Sequence, residues 1–453
     1  MYLECIKPYQ LKKNILLVFL FFTFFSNAQN EFKFYGSNSR YESVRFQLIN
    51  NLIVIPLNIN GKQLSFILDT GVNKTILFNL TKNDSIGLND VRKLTLQGLG
   101  SGKPVQALLS KNNRFRIRNL SSSNQDLYVI LKDKFNVSGR MGTTVHGIIG
   151  YNLLKDVITK INYRTKKITF YNPKTFSYSK CRKCEDFPLE FYRNKPYLNA
   201  KIQMDTIGDK KIKVKMLIDS GGSDSLWLFE NTKDEIKTPK RYFNDILGEG
   251  LSGTIYGNRS RIPEFKLGNF TIKSPTVSFL DSISTFNARK FKERNGSIGS
   301  NILKRFKVWL DYPNKKITLK KNGSFKSGFN YNMSGLGVIY NGQILVKEAE
   351  TKGSLEFSEN SVSNNNTISL VTSYRYKFKP SYKIDRVVVN SPADIAGLKP
   401  GDIIKSINRK KSHEYTLEEI MGVFHSRDKQ KIRISVERNK ENMKFEFRLK
   451  KKI

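Results

Sequence analysis

The sequence predicts a mainly β protein: two tandem copies of one β-rich lobe, followed by a small α+β module. Three observations carry that expectation. Two short stretches, Phe66-Ile67-Leu68-Asp69-Thr70-Gly71 and Met216-Leu217-Ile218-Asp219-Ser220-Gly221, each run apolar residues into an Asp, a small hydroxyl residue and a Gly, 150 positions apart. Their surroundings repeat as well. His146-Gly147-Ile148-Ile149-Gly150 is echoed by Gly296-Ser297-Ile298-Gly299, and Ile161–Thr169 by Leu310–Thr318, both at an offset of 149, while Asn51–Ile59 resembles Asn194–Ile202. Third, the composition changes from about Phe325 onward. The 20 Tyr and 31 Phe among 453 residues suit β-rich layers.

In chain order, Lys7, Lys12 and Lys13 precede the apolar run Ile15–Phe22, and Ser26-Asn27-Ala28 offers small residues at a cleavage spacing. Residues 1–28 therefore read as a signal peptide, too short for a comfortable membrane span. An uncleaved anchor is the alternative. Export to a periplasm, cell envelope or exterior is expected. Lobe 1 is expected over residues 41–178 and lobe 2 over 187–323. In each, a short apolar run bounded by turn signals reads as a buried strand. It delivers a carboxylate into half-apolar surroundings, where carboxylates are normally avoided.

Cys181 and Cys184 remain once the leader, with Cys5, is set aside. In an exported chain they are expected as a disulfide stapling the connection between the lobes. The formal net charge is +39. Because Lys and Arg are dispersed through strand-like segments, nucleic acid is not an expected partner. A solvated Lys/Asn-rich surface accounts for the excess more readily than an anionic envelope surface, which stays open as a partner. Only His146, His413 and His425 occur, and His-Glu-x-x-His is absent. That leaves no ready Ser-His-Asp, Cys-His or zinc arrangement, and neither a metal nor a cofactor is implied. Gln97–Pro104 fails as a phosphate loop, since Gln97 stands where Gly is needed and Pro104 follows Lys103.

The doubled apolar-apolar-Asp-Thr/Ser-Gly pattern, each copy followed by an apolar-apolar-Gly element, resembles the pepsin/retropepsin group of aspartic proteases over about residues 41–323. The resemblance implies the two-lobed aspartic-protease fold, a catalytic pair Asp69 and Asp219, and support from Thr70, Gly71, Ser220 and Gly221. It places a substrate-covering flap at Gly98, Gly100 and Gly102, with Gly248–Gly253 in the matching place of lobe 2; ordinary Gly-rich turns account for both equally well. Two carboxyls at hydrogen-bond distance cannot both ionise, so one would act as base toward water and the other protonate the carbonyl. Pepsin-like enzymes carry a further hydroxyl residue where this chain has Val72 and Gly222, and its absence predicts a weakly acidic to neutral optimum.

Ser391–Asn408 resembles the PDZ domains of bacterial proteases: a short helix ended by Gly397, a turn through Pro400-Gly401, then a strand. The resemblance spans about residues 329–450. It implies a carboxylate-holding loop at Gly335, Leu336, Gly337 and Val338, and a C-terminal peptide ligand added to a sheet edge. Packing on the protease alone is the plainer alternative. The Ser/Asn-rich stretch Glu348–Asn366 reads as a flexible insertion. The expected function is an exported aspartic endopeptidase acting on protein or peptide substrates. The alternative is a catalytically silent, protease-like peptide-binding scaffold.

Overall fold

The structure is a computed structural model, and it describes residues 30–36, 40–80, 86–98, 102, 104–131, 137–250, 253–356 and 367–453. The expected signal peptide and Gly100 of the expected flap lie outside the described residues.

Each lobe is organised by one hairpin, tight in lobe 1 and joined by residues 204–211 in lobe 2. In lobe 1, Leu52–Ile59 pairs antiparallel with Lys62–Leu68 across a turn at Asn60-Gly61, where both residues have positive φ as such two-residue turns require. Gly147–Ile149 then runs parallel to the second strand, Gly147 beside Phe66 and Ile149 beside Leu68. In lobe 2, Lys195–Gln203 pairs with Ile212–Asp219, and Arg294–Gly299 runs parallel to the latter, with Gly299 beside Asp219. The repeat legible in the sequence is thus a repeat of strand register. Among the described residues these hairpins sit in sheets of nine and ten strands.

A third sheet joins the lobes. Its six strands run in the order Cys184–Pro188, Lys316–Lys321, Phe306–Asp311, Ile158–Asn162, Lys167–Tyr171, Tyr41–Arg45, and the lobes meet where Ile158–Asn162 pairs antiparallel with Phe306–Asp311. Alternation sends Ile161, Ile168, Val308 and Ile317 into a core shared by both lobes, together with Phe66, Leu153 and Ile298. The outward residues include a row of cations, Arg45 beside Lys167 and Lys307 beside Lys320. Like charges placed directly opposite one another are unfavourable in a sheet.

The C-terminal module is a six-stranded sheet with two short helices, Pro392–Ile395 and Leu417–Phe424, the latter opened by a capping box between Thr416 and Glu419. Gly397 and Gly401 have positive φ, as the expected helix stop and turn need. Of the flexible insertion expected over Glu348–Asn366, the part up to Glu356 is strand, and residues 357–366 lie outside the described residues. Leu336–Glu356 and Thr367–Val387 are two 21-residue strands of one long hairpin, with Glu350 opposite Ser373. In its described part the arm is exposed on two sides: Glu348 pairs with Lys377 and Lys379 on one face, while Tyr374, Tyr376 and Phe378 are exposed on the other.

The module packs on both lobes. Arg261 donates to the carbonyls of Phe329 and Ile453, and the Tyr331 hydroxyl accepts from Val277 N–H at 3.1 Å. Phe329 itself belongs to the lobe core, where the Arg305 guanidinium lies 3.6 Å from its ring centroid.

Candidate active site

Asp69 and Asp219 stand at the ends of the two parallel-paired strands, each just before a tight loop. Asp69 N–H donates to the Ile149 carbonyl at 2.9 Å, which ties the loop to the second repeat element. The two loops are then tied to each other by four reciprocal hydrogen bonds. The Thr70 hydroxyl donates to the Ile218 carbonyl at 2.6 Å and accepts from Ser220 N–H at 2.9 Å. The Ser220 hydroxyl donates to the Leu68 carbonyl at 2.8 Å and accepts from Thr70 N–H at 3.0 Å. Both side chains are buried. A residue here must donate to one strand and accept from the other loop through one short side chain, and only a hydroxyl does both.

These bonds bring the carboxylates together. A Cβ placed on Gly71 would lie 3.0 Å from Oδ1 of both Asp69 and Asp219, so the two oxygens are within twice that distance of each other. A Cβ on Gly221 would overlap the Asp69 carboxylate outright. Any side chain at either glycine would therefore push the pair apart. Gly71 N–H donates to Asp69 Oδ1 at 2.6 Å.

The pair is electrostatically unequal. Burial first, and the Asp219 charge second, raise the Asp69 carboxyl to about 7. Burial raises Asp219 too, but Arg294, Lys195 and the Gly221 and Gly222 amides oppose it. Lys195 and the Gly221 amide lower both groups, the Gly71 amide lowers Asp69 and Arg294 lowers Asp219, so burial leaves the two carboxyls sharing a proton as a pair. Neither cation was apparent as a site residue from the sequence. Arg294 is buried, donating to Ser297 Oγ at 2.7 Å and to the Gly296 carbonyl at 3.2 Å. Val145 occupies the matching position of lobe 1. The offset between the repeats could have revealed the exchange.

His146 plays a structural part. Its Nδ1 accepts from Ser65 N–H at 3.1 Å, just as Asn295 Oδ1 in lobe 2 accepts from Lys215 N–H at 2.9 Å. Among the described residues no cluster of three His, Cys, Asp or Glu gathers as metal ligands would.

The two Gly-rich hairpins approach each other: a Cβ on Gly253 would lie 3.8 Å from the Gly102 nitrogen, and the Gly98 carbonyl accepts from Asn287 Nδ2 at 3.4 Å. Cys181 and Cys184 form a disulfide, with Cα atoms 5.4 Å apart.

The loop expected to hold a peptide carboxylate is otherwise engaged. Gly335 N–H donates to Asn332 Oδ1 at 3.3 Å, and Leu336 N–H to Ser334 Oγ at 3.0 Å. Leu336 and Val338 are buried in the module's core. Lobe 1 packs there too: helix Val137–Met141 lies against the Leu336–Glu356 strand, and a Cβ on Gly142 would stand 2.9 Å from Leu417 Cβ. Two of the amides offered to a ligand are thus satisfied within the chain, and lobe 1 lies against the same strand and helix.

A family described as aspartyl protease matches residues 55–153 and 205–302, and one described as PDZ domain matches residues 383–438. Among solved structures, the aspartic proteinase from Irpex lacteus is similar at 12% identity and a TM-score of 0.43, over 64% of this chain and 99% of that one. No curated protein matches the chain.

Proposed function

We propose that this chain, a retropepsin-like aspartyl protease domain followed by a PDZ domain, is an exported endopeptidase that hydrolyses peptide bonds between Asp69 and Asp219. The observation that carries the reading is the pair itself: a buried and a part-buried carboxyl, one raised well above the usual range, on loops locked by reciprocal hydroxyl bonds. In the proposed reaction Asp219, as carboxylate, takes a proton from water while the water oxygen attacks the peptide carbonyl. Asp69 gives its proton to the carbonyl oxygen, forming a tetrahedral diol. Collapse returns a diol proton to Asp69 and passes the Asp219 proton to the departing nitrogen, so the C–N bond breaks and both groups regain their starting states. General acid–base assistance of this kind contributes about 10²–10⁴-fold.

The meeting Gly-rich hairpins support a pair of flaps over bound substrate. The leader supports export, and the cationic row on the inter-lobe sheet supports docking on an anionic envelope surface. Salt-sensitive binding to anionic vesicles tests the docking, and its absence at low salt removes it. The C-terminal module is read primarily as a brace on the protease.

Incubating purified protein with a mixed peptide library, alongside Asp69→Asn and Asp219→Asn, tests the central reading. Internal cleavage by the wild type and its loss in both variants is expected. Retention of about a tenth of wild-type turnover in either variant rejects the dyad, given the contribution expected of each group. A wild type that binds peptides without cutting them favours the scaffold.

A further inference from the structure

The two lobes are alike in register but differ in charge beside the dyad. In lobe 1 the antiparallel register that sets Val54 opposite Ile67 carries Leu52 to the position opposite Asp69. In lobe 2 the register that sets Tyr197 opposite Leu217 carries Lys195 to the position opposite Asp219. Each of these residues follows a tight two-residue turn with positive φ, Asn50-Asn51 in one lobe and Arg193-Asn194 in the other. Each turn reaches across to the opposite lobe's catalytic loop: Asn51 Nδ2 donates to the Ser223 carbonyl at 2.8 Å, and Asn73 Nδ2 to the Arg193 carbonyl at 3.3 Å. Cross-strand partners share one face of a sheet, so Lys195 belongs to the face that carries the Asp219 carboxylate.

Lys195 is an unusual residue to find there. Its surroundings desolvate its ammonium, yet it makes no hydrogen bond or ion pair among the described residues, and its field is felt by both Asp69 and Asp219. Arg294, the other cation of the site, is already committed to Ser297 and Gly296. With no direct hydrogen bond among the described residues, the ammonium keeps its donors free for a further carboxylate beside the dyad charge whose field it shares. It remains partly accessible, since Lys195 itself is neither buried nor fully exposed.

We propose that Lys195 forms a carboxylate-binding subsite, giving the cleft a preference for peptides with an acidic residue next to the scissile bond on the lobe 2 side. The matching place on lobe 1 is apolar because of Leu52, so the cleft is polarised and reads peptide direction as well as composition. The inference rests on the cleft binding peptides as proposed above.

The test uses peptides whose scissile bond is replaced by a non-cleavable hydroxyethylene unit, with Glu or Gln at each of the two positions on either side. Binding to the full chain is measured by calorimetry at neutral pH. At one position Glu is expected to bind about tenfold more tightly than Gln, the low end of what a close charge pair contributes across an interface. Lys195→Met should bring that ratio to about one, and Lys195→Glu should transfer the preference to Lys. Leu52→Lys, which leaves Lys195 in place, should create a second acidic preference at the pseudo-symmetric position. Equal binding of Glu and Gln peptides at all positions, absence of binding, or a preference that survives Lys195→Met overturns the proposal. Cleavage of the corresponding amide peptides by the wild type is scored separately, so loss of the protease reading and loss of the subsite are told apart.

Discussion

Replacing Thr70 with Val keeps the shape of the side chain and removes only its hydroxyl. Two groups lose their partners: Ser220 N–H, bonded at 2.9 Å, and the Ile218 carbonyl, bonded at 2.6 Å. Both lie between the lobes at a point where Thr70 is 1% and Ser220 2% exposed, so water does not replace the lost hydroxyl readily. An orphaned buried polar group costs about 1–3 kcal/mol, which puts the change at about 2–6 kcal/mol. Ser220→Ala orphans the matching pair, Thr70 N–H and the Leu68 carbonyl, and should cost a similar amount. The chain has two tryptophans, Trp227 and Trp309, both on lobe 2 strands, so their fluorescence in urea follows the protease unit rather than the C-terminal module. With a denaturant slope of about 1–3 kcal/mol per molar, each midpoint should fall by about 0.7 M or more. The double variant should lose less than the sum, because both hydroxyls serve one contact between the loops. Midpoints within about 0.3 M of wild type for both single variants would refute the claim that these bonds hold the lobes together.

Asp69→Asn should stabilise the fold above neutrality. The Asp69 carboxyl is raised from a usual 3.8 to about 7, so the folded state holds a proton that the unfolded state has released between those values. Its stability contribution is complete below about pH 4 and is lost as pH rises through about 7, so the melting temperature should rise at pH 8 but not at pH 4. An equal gain at both refutes the assignment. Val72→Ser adds a hydroxyl to the Asp69 loop; a bond to the charged carboxylate should shift the basic limb of the pH–rate profile to lower pH, and an unmoved limb shows the position does not set it. Gly142→Leu inserts a side chain against Leu417 at a residue with φ of 68°, and should loosen the C-terminal module at a cost of about 1–3 kcal/mol. Faster proteolysis of the connection around residues 325–335 is the expected reading, and unchanged protection rules the packing contact out.

The parts of the site carried by chemistry were legible in the sequence, whereas those carried by register were not. Asp69 and Asp219 stand out because a carboxylate at the end of an apolar run is unusual, and its recurrence 150 positions later ties both to one repeat. Lys195 and Arg294 look like ordinary members of a Lys/Arg-rich chain. Their meaning comes from sitting where lobe 1 has Leu52 and Val145, an exchange that the repeat offsets hold but that composition and motif do not mark. The stretch beginning at Glu348 read as an insertion because the described side chains of the arm near it, among them Tyr374, Tyr376 and Phe378, are exposed, so burial does not impose a core-facing apolar alternation there. At Gly335 and Leu336 the expected ligand amides are taken by Asn332 and Ser334, a local side-chain competition that a motif does not disclose.

The claim that one proton is shared by two carboxyls is tested most directly by the pH dependence of kcat/KM for a single uncharged peptide. A bell with its maximum in the weakly acidic range is expected. The basic limb should lie near pH 7, where the pair loses its shared proton, and the acidic limb below it, where the pair takes up a second. A maximum at about pH 2–3, as for a dyad like that of pepsin, would contradict it. So would a rate that goes on rising past about pH 9, where neither carboxyl could still hold the proton the mechanism requires.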